Sequence, residues 1–193
     1  MQVPEGRDVG GTFRSIPLCR APEQAGCVIA YASFRATSPP PADAIAGRDT
    51  EPGLITACTN PADLRGGEGE LKSYLLTSVG GVGTTLPHGP WVENGPEITT
   101  AFVTVPGLLS ATCAHDDRAT YLAIRVHGDP SDPRADDITG DVFTHDAVRP
   151  RWGLHPIDLD LAMGNLLDLV GSQARAWQQQ QRRGVHRAAV RKR

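Results

Sequence analysis

Trp152-Gly153-Leu154-His155-Pro156-Ile157-Asp158-Leu159-Asp160-Leu161-Ala162-Met163-Gly164-Asn165 is the stretch on which the reading of this chain turns. A histidine sits in a loop marked by Gly153 and Pro156, and an amphipathic segment follows at once. Ile157, Leu161, Leu166, Leu169, Val170, Ala174 and Trp177 recur at helical spacing, which predicts a helix from Ile157 to about Gln181. Pro156 suits its first turn, where a missing N–H is no loss. A histidine there is a candidate for acid–base chemistry. The bland alternative is a surface side chain that caps the helix start.

Upstream the pattern is rich in strands and loops. Residues 1–25 are punctuated by Gly6, Gly10, Gly11, Pro17 and Pro22 and read as loop. β-branched and aromatic runs predict strands at Gly26–Phe34, Thr99–Val105 and Tyr121–His127, alternation predicts another at Lys72–Ser78, and Leu54–Thr59 reads as a short strand or extended segment. Ser38-Pro39-Pro40-Pro41 opens a surface loop. Gly80-Gly81-Val82-Gly83 lacks the Lys-Ser/Thr of a phosphate-binding loop, and no helix pattern follows it. The expected fold class is α/β, with one long helix at the end of a loop-rich sheet domain.

At 193 residues the chain is long enough for one domain with a core, although its apolar share is only 39%. No run approaches the roughly 18 apolar residues of a membrane span. The net charge of −3 conceals an asymmetry: from Arg175 onward there are seven Lys/Arg and no acid, leaving 12 basic against 22 acidic residues before it. Residues 1–181 are read as the domain and 182–193 as a basic, solvated tail. The tail has no aromatic residue on which bases could stack, so no nucleic-acid partner is expected.

Four cysteines, Cys19, Cys27, Cys58 and Cys113, form no C-x-x-C pair and no zinc spacing with histidine. Cys19 and Cys27 bracket a short turn that a disulfide could span, the alternative being buried thiols. The even count suits an oxidising compartment, yet residues 1–8 carry no export signal. Asp129, Asp132, Asp136, Asp137, Asp141, His145 and Asp146 cluster in one region, but their spacing is not that of a calcium loop. A solvated acidic loop is the default, and neither metal nor cofactor is expected. His88, His115 and His186 have no convergent partners in the sequence, and His127 and His145 are at most neighbours of a site.

Five segments in order carry a resemblance: Gly10-Gly11-Thr12-Phe13 with Ile16-Pro17-Leu18-Cys19, Gly26-Cys27-Val28-Ile29-Ala30-Tyr31-Ala32-Ser33-Phe34, Cys58-Thr59-Asn60-Pro61, and Gly153-Leu154-His155-Pro156-Ile157-Asp158-Leu159. Together they resemble the C-terminal half of a bacterial domain-of-unknown-function family grouped with α/β-hydrolases and labelled lysophospholipase-like, over residues from about 5 to 175. The resemblance implies the C-terminal portion of an α/β-hydrolase-like sheet. It also implies a G-H-S-Q-G nucleophile elbow upstream of Met1, for no G-x-S-x-G occurs in the sequence. A truncated hydrolase, inactive alone, is then expected, and a lost N-terminus would reconcile the cysteines with the missing export signal.

In such a site a histidine takes the serine's proton while a carboxylate fixes its tautomer. The resemblance gives His155 the role of base. For the acid, Val126-His127-Gly128-Asp129-Pro130-Ser131-Asp132 ends a strand in Gly and carboxylates, so Asp129 is the first candidate, Asp132 the second and Asp63 an earlier alternative. Aspartates that merely make turns are the competing reading. Ser33, Ser73 and Ser110 lack the strand–turn–helix setting of a nucleophile. The expected partner is a small acyl ester, once a nucleophile is present. A non-catalytic, disulfide-stapled binding module and a metal-dependent hydrolase using the acidic loop are the other two readings.

Overall fold

The structure, a computed structural model, describes residues 1–77, 91–144 and 147–190, with the side chains of the closing helix described as far as Arg183. In chain order its strands are β1 (Gln2–Pro4), β2 (Ser33–Arg35), β3 (Leu54–Thr56), β4 (Gly69–Glu70), β5 (Leu75–Leu76), β6 (Phe102–Val103), β7 (Leu109–His115), β8 (Thr120–Val126), β9 (Phe143–Thr144) and β10 (Ala147–Val148). Two 3₁₀ turns, Pro150–Trp152 and His155–Ile157, lead into the helix α1 (Asp158–Val190). Ser78, the Gly80–Gly83 loop, His88, His145 and Asp146 lie outside the described residues.

The centre is a four-stranded mixed sheet in the order β2-β8-β7-β4. β7 and β8 form an antiparallel hairpin in register from Leu109↔Val126 to His115↔Thr120. β2 joins β8 in parallel, and β4 joins β7 antiparallel. Three two-stranded pairs, β1-β3, β5-β6 and β9-β10, surround it. With one helix closing the chain, the class is mixed α/β.

Several expected strands are shorter than their sequence pattern. Of Gly26–Phe34 only Ser33 onward is strand, because the preceding backbone bonds to irregular partners instead. Cys19 N–H donates to Val28 O, Val28 N–H to Pro17 O, and Ala30 N–H to Thr59 Oγ1. Residues 72–74 likewise bond to α1 rather than to a strand. β1 falls within the stretch read as loop, paired with β3. β7 has no apolar signature, being Leu-Ser-Ala-Thr-Cys-Ala-His.

Two disulfides, Cys19–Cys27 and Cys58–Cys113, use all four cysteines. The first closes the expected short turn. The second ties β7 to the Cys58–Pro61 segment, whose Asn60 is fully enclosed. Asn60 Nδ2 donates to Ala111 O (2.7 Å) and Gly67 O (2.9 Å), while its Oδ1 accepts from Ala62 N–H. That motif is a structural knot.

The main core joins Leu71, Leu75, Leu108, Leu109, Leu122, Ile124 and Leu154 to Ile157, Leu161 and Ala162 at the start of α1. Leu169 packs on the Cys19–Cys27 bridge and Leu64. Gly164 lets α1 approach closely, since a Cβ there would lie 2.5 Å from Lys72 Cβ and 2.9 Å from its carbonyl. Gly164 N–H donates to Lys72 O and Tyr74 N–H to Asp160 O. Asn165 completes the clamp, accepting from Lys72 N–H at 2.8 Å and donating to Glu70 O at 3.1 Å. Of the seven apolar positions that predict the helix, Ile157, Leu161 and Leu169 are buried and Leu166 is half-buried, whereas Val170, Ala174 and Trp177 face solvent. The helical backbone runs past Gln181 to Val190.

Candidate active site

Gly153 sets the entry to the site. Its φ of +52° is in the region that favours glycine. A Cβ would lie 2.5 Å from the Phe34 ring and 2.7 Å from Ser33 O. The loop can therefore press against β2, where Leu154 N–H donates to Ser33 O at 2.8 Å and the Leu154 side chain is fully buried. His155 emerges from this anchor on a 3₁₀ turn that Pro156 helps to shape and Ile157 nails into the core.

His155 Nδ1 lies 2.5 Å from Asp158 Oδ2. The carboxylate only accepts, so Nδ1 carries the proton and Nε2 is left with its lone pair, the tautomer of a general base. The other carboxylate oxygen, Oδ1, accepts the Ser33 N–H at 2.9 Å, and Tyr31 Oη donates to the Asp158 carbonyl at 3.0 Å. Asp158 is thus held from two sides, its side chain 14% exposed against 44% for His155. Among the described residues no hydrogen bond reaches His155 Nε2. The hydrogen bond to Asp158 holds the imidazole pKa above its ordinary value, its charge adding to the effect and partial burial opposing it. Burial, with the charge of Asp158 adding to it, pushes the Tyr31 phenol up as well, so it stays a donor.

The acids singled out in the sequence are placed otherwise. Asp129 Oδ1 accepts from Ser131 N–H and Ser131 Oγ, both at 2.9 Å, which lowers its pKa. Asp132 binds Arg134 through Nε at 2.7 Å and through its N–H at 2.9 Å, with the same result. Asp63 caps its own turn, accepting from Arg65 and Gly67 N–H. Each is spent on a local turn, and none is hydrogen-bonded to His155. The carboxylate that does pair with it is Asp158. The signal in the sequence is its spacing: residues i and i+3 at a helix start are neighbours.

The acidic loop is drawn together by Arg35, a half-buried cation at the end of β2. Its NH1 meets Asp137 at 2.5 Å, and its NH2 meets Asp141 and Ile138 O, each at 2.7 Å. Among the described residues no group of three His, Cys, Asp or Glu side chains converges as a metal site would require. His127 Nε2 meets Ser110 Oγ at 2.8 Å, and Ser110 Oγ donates to Glu68. His115 Nδ1 meets Thr120 Oγ1 across the end of the β7–β8 hairpin.

Neither Ser73, which donates to Leu161 O, nor Ser110 bonds to His155. Ser33 Oγ is sealed in the interior with no hydrogen-bond partner among the described residues, out of reach of a substrate. The groove of about 340 Å³ between residues 70–74 and α1 opens beside Lys72 and Asp168, and His155 does not line it. Among the described residues the site pairs a base with an orienting acid, and no serine hydroxyl is bonded to the base.

No family model, curated protein or solved structure matches this chain.

Proposed function

We propose that His155 and Asp158 are the general base and orienting acid of a serine-hydrolase-type site for small acyl esters, of esterase or lysophospholipase-like character. The observation that carries this reading is the pair itself. A carboxylate fixed by the Ser33 N–H holds Nδ1, and the free Nε2 points to no partner among the described residues. In acyl transfer the base takes the nucleophile's proton and returns it to the leaving group, while the acid stabilises the imidazolium between those steps. The raised pKa of His155 suits a group that must hold that proton briefly.

The mixed sheet and its terminal helix are read in the same way, as an α/β-hydrolase-like portion. It presents its base on the loop before α1. The hydroxyl nucleophile and its oxyanion donors have to come from sequence other than these 193 residues, which contain no nucleophile elbow. Among the described residues the pair has no hydroxyl to activate.

The test is hydrolysis of a short-chain p-nitrophenyl ester by this chain and by a form extended upstream to carry a G-x-S-x-G elbow. Activity is expected only in the extended form, with loss of about 10³-fold or more on His155→Ala. An extended enzyme indifferent to that substitution overturns the assignment. The second reading, a non-catalytic binding module, is favoured by the two disulfides and by Ser33, Ser73 and Ser110 being already sealed or engaged. Inactivity of both forms supports it.

A further inference from the structure

α1 carries two apolar faces, and the fold uses one. Leu161, Ala162 and Leu169 are buried against the body. Leu159, Met163, Leu167, Val170, Ala174 and Trp177 form a second stripe confined to about 80° of the circumference at 100° per residue, with Leu166 at its edge packed against the core. Four of these, Leu159, Leu167, Val170 and Trp177, are between 54% and 63% exposed. Scattered exposed apolar residues are ordinary; a continuous stripe along five turns of one helix is not.

The charges along the same helix say what fits the stripe. From Asp158 to Asp168 it holds three aspartates and no cation; from Arg175 onward its only charged residues are basic. Asp158 is engaged by His155 and Asp168 by Lys72, so Asp160 is the acid left on the flank of the stripe. A helix that is acidic in its first half and basic in its second complements itself only when reversed. Parallel pairing would set like charges and like helix ends together, and antiparallel pairing opposes them.

We propose that the stripe is a self-association surface, on which α1 of a second copy of this chain packs antiparallel around a two-fold axis near Asp168. Leu159 then meets Trp177 of the second copy, Leu167 and Val170 cross at the axis, and Asp160 faces Arg175. Such an isologous contact closes at two copies, since each stripe is consumed by the other. The pairing stands apart from the hydrolase reading.

Sedimentation equilibrium of the intact chain tests the pairing, with a dimer expected at concentrations of about 10–100 μM. Leu167→Glu with Val170→Glu should weaken dimerisation by about 100-fold or more. Because both side chains face solvent in the monomer, far-UV circular dichroism and the thermal midpoint should change little. Asp160→Arg or Arg175→Asp alone should weaken it about tenfold through the two symmetry-related pairs, and the combined swap should recover it.

Direction is read by cross-linking, which is clean because the native cysteines are all bridged. A mixture of Leu159→Cys and Trp177→Cys chains should yield the mixed disulfide dimer, and neither variant alone should cross-link efficiently. A chain that stays monomeric throughout, or cross-links Leu159→Cys to itself, overturns the proposal. So does a monomer that instead takes another macromolecule onto the stripe.

Discussion

The backbone N–H of Ser33 donates to Asp158 Oδ1 at 2.9 Å across 125 residues of sequence. This bond aims the second oxygen of the carboxylate at His155, so the site is positioned by a sheet strand and not by its own loop alone. Asp158→Asn keeps the shape and an acceptor for Ser33 while removing the charge. The His155 titration midpoint, followed by NMR, should fall toward the ordinary histidine value in this variant. An unchanged midpoint would mean that Asp158 does not govern the imidazole.

The same pair gives a pH dependence of stability. Asp158 raises the folded pKa of His155 above its unfolded value of about 6.5. The folded state then binds the proton more tightly, so the contribution is complete below about pH 6.5 and fades as pH rises through the folded value. Denaturant midpoints of the parent and Asp158→Asn should therefore converge on going from mildly acidic to alkaline buffer. A gap between the two that widens with rising pH would reverse the assignment.

Gly153→Ala tests the anchor beneath the histidine. The new Cβ meets the Phe34 ring at 2.5 Å at a backbone position with φ of +52°. Both the contact and the conformation are unfavourable, at about 1–3 kcal/mol for the backbone alone. Urea unfolding should show a loss at the upper end of that range or beyond. His155 NMR shifts should move with it, because Leu154 N–H can no longer sit on Ser33 O. An alanine variant as stable as the parent would show that the loop does not press on β2 this closely.

How much of this the sequence discloses depends on where each signal resides. The start of α1 is legible, because Ile157, Leu161 and Leu169 recur at helical spacing and do enter the core. The same periodicity misplaces Val170 and Trp177, since pattern alone cannot say which of two apolar stripes a body covers. β7 is hidden because Ser110, Ala111, Thr112 and Ala114 carry little apolar mass, and only Ser110 and Ala111, flanked by both β8 and β4, are buried among them. The Cys19–Cys27 bridge is a local feature of an eight-residue separation, whereas Cys58–Cys113 follows from how β7 docks and has no local trace. Asp158 is legible as the i+3 neighbour of His155, whereas the strand-end position of Asp129 does not disclose that its carboxylate is bonded within its own turn.

Asn165 is the fastening between α1 and the residue 70–74 segment, and its amide is used at both ends. Asn165→Asp retains the acceptor for Lys72 N–H but loses the donor to Glu70 O and sets a carboxylate against that carbonyl. Asn165→Leu loses both bonds and strips two partly buried backbone groups of their amide partner, at about 1 kcal/mol each. Thermal unfolding should rank the parent above both variants. Equal stability of Asn165→Leu would mean that the clamp is held by Gly164 and the apolar contacts alone.

The two disulfides should contribute unequally. In the chain-entropy account a bridge stabilises by restricting the unfolded chain, and the restriction grows with the loop it closes. The separations are 8 residues for Cys19–Cys27 and 55 for Cys58–Cys113. Replacing both partners by serine should then cost about 2.5 kcal/mol for the first and about 4 kcal/mol for the second. Cys58–Cys113 also closes the base of the Asn60 knot and sits in the main core, so serine there exposes buried apolar neighbours to a polar group. Denaturation of the two double-serine variants separates the contributions. If Cys19→Ser with Cys27→Ser proved the more damaging, the packing of Leu169 and Gln173 against that bridge, and not loop closure, would be what holds α1 to the body.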